Sequence, residues 1–344
     1  MMYKKQNKNL VLLLLCFFIA SVGFSQHLSH TNNAGGFVKF KKKKRYWSVG
    51  ASLNAMNYVG DLDPAENIVS PALRYTKPSF GAIASYRYSP RLTFRGAFSW
   101  GRIKGNDIIS DKSGRDQFRR MRNSDFRNTI VELKFDVMYD FVKNLGDFTH
   151  RPTKTIPYLF AGIAGFYHNP KGTHDEKWIS LQPLQTEGVY YSKYQIAIPF
   201  GIGFRWKLAR SLDLAFEIGW RKTFTGYLDD VNKVYVDPKT QDPLSAEMAN
   251  KSVNWINQPE NPAGYANEKQ GSDALRALIK DGAPNVAYDR IFYNPETQKI
   301  EFWGWGRAGD QRGKYKGKTD WYILTGLHLT YIIGGRIVCP KFRD

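Results

Sequence analysis

Residues 128–142 read NTIVELKFDVMYDFV, and the alternation in that stretch decides the fold class. Val131, Leu133, Phe135, Val137, Tyr139 and Phe141 fall on one face, and Glu132, Lys134, Asp136, Met138 and Asp140 on the other. A period of two belongs to a β-strand, whose successive side chains point to opposite sides of the sheet. A soluble sheet would have to bury the apolar face and leave the charged face to water. In a transmembrane barrel the apolar face meets lipid and the charged face turns inward.

Seven further segments repeat the pattern: 46–57, 79–88, 91–101, 157–167, 194–208, 211–225 and 320–333. Each is about the length a tilted spanning strand needs. Segment 157–167 is apolar on both faces, so its orientation stays open. Aromatics stand near strand ends (Tyr46, Trp47, Trp100, Tyr194, Trp206 and Trp321), where interface girdles are expected. The connections are a second test. Ser89-Pro90 and Ala209-Arg210 are tight turns and the fourth link is moderate, whereas the first, third, fifth and seventh are long. Long links on every odd–even hairpin lie at one end, the asymmetry of bacterial outer-membrane barrels. The expected fold is therefore all-β: an eight-stranded antiparallel transmembrane β-barrel over 46–335, with short periplasmic turns and long extracellular loops. Both termini then lie in the periplasm.

Composition agrees. Aromatic residues make up 15% of the 344 residues and glycines number 30, a surplus suited to barrel strands. A mean hydropathy of −0.47 does not oppose this, because alternation averages the apolar signal away. The net charge of +19 would raise nucleic acid as a partner, but an exported chain meets no chromosome, and none is expected.

The leader is tripartite: Lys4, Lys5 and Lys8, an eleven-residue apolar run at 10–20, then SVGFSQ with small Gly23 and Ser25 before the junction. It reads as a signal peptide over 1–25, too short to span a bilayer. Cys16 lies within its apolar run after bulky Leu13-Leu14-Leu15, which excludes a lipoprotein. Cys339 is then the one mature cysteine, so neither a disulfide scaffold nor a cysteine zinc site is expected. Residues 26–45 form a basic periplasmic tail and 336–344 a second one. Lys41, Lys42, Lys43, Lys44, Arg45 and Cys339 are the candidate contact with a periplasmic partner.

Signals for catalysis are thin. The six histidines share no metal-ligand spacing, and no phosphate loop or Gly-x-Ser-x-Gly occurs. No catalytic, cofactor or metal residue is assigned, and the chain is not expected to be an enzyme; a lipid-modifying enzyme would have to rely on His328. Arg87, Arg95, Glu132, Lys134, Asp136, Arg205, Glu217 and Arg221 are expected to project into the lumen. An eight-stranded barrel has room only for its own side chains, so these charges are expected to interlock as a structural plug rather than line a pore. Segment 102–127, with eight basic and four acidic residues, reads as a solvated loop or a contact for anionic lipopolysaccharide. Segment 227–318 exceeds an ordinary loop; with a short helical stretch at 272–280, it reads as a cap or plug.

Several stretches carry a family resemblance: YVGDL at 58–62, FAGIAGFYHNPK at 160–171, WISLQPL at 178–184 and TEG at 186–188. AIPFGIG at 197–203 and FTGYLDDV at 224–231 complete the set. Together they resemble the PorG-like, DUF6089-like barrel proteins of Bacteroidetes associated with the type IX secretion system. The resemblance covers roughly 46–236 and 319–335. It implies a non-enzymatic barrel that anchors a periplasmic ring, formed by a lipoprotein and its partner (PorK- and PorN-like), to the outer membrane. It also implies a role in export of proteins with C-terminal sorting signals and, in some species, in gliding. The alternative is a general surface barrel for adhesion or small-solute passage.

Overall fold

The computed structural model describes residues 44–62, 75–107, 122–146, 150–151, 155–251, 291–294, 299–302, 308–313 and 319–333. Eight long strands form the wall: β1 (Tyr46–Val59), β2 (Lys77–Arg87), β3 (Leu92–Asn106), β4 (Asp125–Asp140), β5 (Ile156–His174), β7 (Tyr194–Ala209), β8 (Leu212–Thr223) and β11 (Trp321–Ile333). Each pairs antiparallel with its neighbours, and β1 closes on β11 from Trp47 opposite Ile333 to Val59 opposite Trp321. The result is a closed eight-stranded antiparallel β-barrel. Closure removes every free sheet edge from the wall.

Short β6 (Lys177–Ser180) folds back on the end of β5, and β9 (Ile291–Asn294) pairs with β10 (Lys299–Phe302). One short helix, α1 (Pro243–Ala249), is capped by the Asp242 carboxylate, which accepts the Leu244 and Ser245 amides. Among the described residues, no helix is long and apolar enough to cross a membrane.

Parity sorts the side chains as the alternation requires. On β4 the odd residues face out and the even ones are buried. On β5 the choice left open in the sequence is made: Tyr158, Phe160, Ala164, Phe166 and His168 face in, while Ala161, Ile163 and Gly165 face out. The partners decide it, since Gly201 and Gly203 of β7 face in beside them. A Cβ on Gly203 would lie 2.4 Å from the Tyr158 ring, and one on Gly201 2.6 Å from Phe160. Those two glycines leave room for two aromatic rings to cross the lumen.

The β5–β7 ladder lapses between Ala161–Phe200 and Ala164–Ala197, where Pro199 has no amide hydrogen to donate. Pro199 nonetheless keeps its place opposite Arg221 on β8.

Two readings need correction. Tyr46 is 9% exposed and points inward, where the Arg87 guanidinium lies 5.8 Å from its ring. It cannot share a lipid-facing girdle with Trp47, its immediate neighbour on the strand. The wall also runs further than the alternation suggested: β3 and β4 stay paired out to Asn106 opposite Asp125, so most of the described part of 102–127 is strand. The polar outward residues there made wall look like loop. Within 227–318, Val234 bridges Gln311. The helical stretch expected at 272–280 lies outside the described residues, as do the signal peptide, Lys41, Lys42, Lys43 and Cys339.

Candidate functional site

The inward-facing polar residues of β2, β3, β4, β7 and β8 converge in the lumen, and all eight candidates lie there. Arg95 of β3 binds Asp136 of β4 through two hydrogen bonds, at 2.9 and 3.0 Å, and crosses the lumen to Glu217 of β8. Lys134 sits 2.7 Å from Asp136. Arg221 reaches Glu132 at 3.4 Å, and the Tyr322 hydroxyl donates to the same carboxylate at 2.5 Å. Nearer the turn end, Arg87 and Arg205 converge on Asp140.

Glu217 is the hub. Besides Arg95 it accepts from the Tyr158 hydroxyl at 2.6 Å and lies 3.1 Å from Nδ1 of His328. The other ring nitrogen of His328 is 3.1 Å from Asn54, so the histidine is tied into the lumen on both sides. Four further partners, Asp140, Asp213, Arg151 and His328, are not among the eight candidates, although Asp140 already stood on the charged face of its segment. The first two share the parity of their strands, a signal that was available. Arg151 enters from a connection to bind Asp213, and nothing in the local pattern announces it. Five carboxylates therefore meet six guanidinium or ammonium groups, nearly in balance. Such pairing is what makes charge tolerable away from water.

At the loop end a second polar assembly closes the barrel, built largely from the quoted motifs. The Tyr58 hydroxyl donates to Asp229 at 2.6 Å, and the Leu62 amide donates to the same carboxylate at 3.2 Å. Asp320 accepts the Leu228 amide at 2.9 Å. The Glu187 carboxylate accepts the Asn232 and Lys233 amides at 3.0 and 2.8 Å. Asp230 accepts from the hydroxyls of Thr186 and Tyr191. Tyr191 stacks on Tyr227 with ring centroids 4.6 Å apart. Arg122 ties the third connection in: it pairs with Asp107 at 2.7 Å and donates to the carbonyls of Arg312 and Asp61. YVGDL, TEG and FTGYLDDV are far apart in sequence and form one clasp in space.

Burial is the main force on its carboxylates. It pushes Asp229 and Asp320 well above the ordinary range, each further raised by neighbouring carboxylates. Burial also lifts Asp230 to about 6, against the opposing pull of Arg312. A folded pKa above the unfolded value means stability that is full at low pH and lost as pH rises through the folded pKa. The clasp should therefore loosen between about pH 4 and pH 7, with Asp230 contributing on the order of 1–3 kcal/mol. Limited proteolysis of the loops is expected to run several-fold faster at pH 8 than at pH 5, and Asp230→Asn should flatten that difference; equal rates at both pH values would contradict the assignment.

At the turn end, Lys44 donates to the Leu145 carbonyl at 2.6 Å and Arg45 lies 4.6 Å from the Tyr88 ring. These two residues pack against their own barrel's rim instead of trailing free. Among the described residues, no group of three or more His, Cys, Asp or Glu side chains is arranged to hold a metal ion.

Residues 35–245 match the family model described as domain of unknown function, DUF6089. No curated protein matches the sequence. Among solved structures, Neisserial surface protein A is similar at 15% identity, over 51% of this chain and 82% of that one, with a TM-score of 0.29. The N-terminal β-barrel domain of Pseudomonas aeruginosa OprF is similar at 8% identity, over 83% and 97%, with a TM-score of 0.29. Ail, the attachment invasion locus protein of Yersinia pestis, is similar at 8% identity, over 51% and 85%, with a TM-score of 0.28 when bound to a heparin analogue.

Proposed function

Since the chain belongs to the DUF6089 family through residues 35–245, we propose that it is a non-enzymatic barrel of the bacterial outer membrane that anchors a periplasmic assembly of the type IX secretion system. The observation that carries this reading is the pairing of surfaces: an apolar exterior closed around an ion-paired interior. Leu133 and Ile163 are each 67% exposed on the wall, and Phe135, Ile196 and Leu53 more than half exposed. Water penalises such a belt and lipid does not. Among the described residues the interior is filled by interlocked charges, an arrangement that suits an anchor better than a conduit.

The short turns and the ends of β1 and β11 nearest the termini share one rim. Bacterial barrels keep that rim in the periplasm and send long loops outward. The turn rim, with Lys44 and Arg45, is thus the surface offered to a periplasmic ring lipoprotein and its partner. That identification is supported by the motif set resembling PorG-like proteins. Deleting the gene is expected to abolish export of substrates bearing C-terminal sorting signals and to release the ring from outer-membrane fractions. Intact export with an intact ring would overturn the anchoring role. Planar-bilayer recordings of the purified barrel should show no steady conductance; a stable open channel would favour solute passage instead.

A further inference from the structure

Above the apolar belt, on the outside of the wall, three cations stand side by side on three adjacent strands. Lys104 of β3 is opposite Arg127 of β4, and Arg127 is opposite Lys171 of β5. Arg102 lies two residues below Lys104 on the same outward parity. Like charges directly opposite on a sheet repel, so this row is held against its own electrostatics. Among the described residues, no carboxylate pairs with any of the four. The nearest one on that face, Asp125, is occupied by Lys251 and the Thr173 hydroxyl. Trp178 of β6, opposite Thr173 on the loop side of the row, has Arg127 at 4.4 Å and Lys104 at 6.0 Å from its ring. The indole positions two cations and supplies no neutralising charge.

We propose that this row binds the phosphate groups of an anionic glycolipid in the leaflet on the loop side. The inference rests on the outer-membrane reading above, and depth is what selects lipid over a soluble partner. Trp100 closes the exposed apolar run of β3, which continues upward as Arg102 and Lys104. At about 3.4 Å per residue these two lie roughly 7 and 14 Å along the strand beyond the indole. A strand tilt of about 40° reduces that to roughly 5 and 10 Å of height. The headgroup layer begins at the edge of the hydrocarbon and extends about 5–8 Å beyond it on each side. Arg102 therefore stands at the depth of the lipid phosphates and Lys104 just above that layer, from where its long side chain reaches down to them. Neighbouring strands are about 4.8 Å apart, so the row spans about 10 Å, enough to engage more than one phosphate of the same headgroup.

The test is native mass spectrometry of the full chain folded in neutral detergent. It is offered bis-phosphorylated lipid A, phosphatidylethanolamine or inorganic phosphate, with gel migration before and after heating used to verify a folded barrel. We expect lipid A to be retained by the wild type and at least 10-fold more weakly by Lys104→Gln/Arg127→Gln/Lys171→Gln. Lys222→Gln, on an exposed outward position of β8, should bind as the wild type does. Equal retention by the triple variant, or equal binding of phosphatidylethanolamine or free phosphate, would overturn the site. The two readings fail separately. A chain that binds lipid A in this pattern but does not insert into vesicles keeps the site and loses the membrane role. One that inserts but ignores lipid A does the reverse.

Discussion

Replacing Glu217 with alanine is expected to destabilise the folded barrel by about 3–5 kcal/mol, the usual cost of removing one partner of a buried ion pair. The size follows from what would be stranded. Arg95 would keep Asp136 but lose its partner across the lumen, the Tyr158 hydroxyl would lose its acceptor, and His328 would lose the carboxylate beside Nδ1. Arg95 is 3% exposed, so water cannot readily take the place of Glu217. Urea titration of barrels folded into vesicles, followed by tryptophan fluorescence, would measure the loss as a lower midpoint. Removing both charges, in Glu217→Leu with Arg95→Met, should recover part of the loss, because the main penalty is a charge left without a partner. An unchanged midpoint for Glu217→Ala would mean that the charges do not interlock.

The second large effect is expected on the opposite face. Phe135→Arg should cost about 2–4 kcal/mol in a bilayer, the usual penalty for arginine near the midplane of a barrel wall. Phe135 is 54% exposed and lies near the middle of the outward apolar run from Val131 to Phe141, with Gly96 opposite on β3 and Ile163 on β5. The same substitution at Thr129, six residues nearer the loop end, should cost about 0–1 kcal/mol because the cost falls with distance from the midplane. A soluble barrel would show no such gradient, since arginine at an exposed site meets water at either position. Urea midpoints of the two variants in vesicles decide between these outcomes: a steep difference places the belt in lipid, and equal values remove it.

Much of the wall was legible in the one-dimensional pattern because a strand reports its two faces locally. Alternation alone places Glu132, Lys134 and Asp136 on one face and Leu133 and Phe135 on the other, and closing the sheet cannot change that parity. Unequal connections revealed which hairpins share an end. The sequence by itself thus determined the strands, the facing of all but segment 157–167 and the eight charges of the interior.

The tertiary structure decided everything that depends on a neighbour distant in the chain. Segment 157–167, apolar on both faces, took its orientation from inward glycines on β7. Glu217 became a hub only when β3, β5 and β11 brought Arg95, Tyr158 and His328 to it. The clasp at the loop end was hidden for the same reason: Asp61, Glu187, Asp230 and Arg312 lie in connections without periodicity, so no local rule pairs them. Three cations can also sit in register only when three strands do. Parity is a property of one strand, whereas pairing and register belong to the closed sheet.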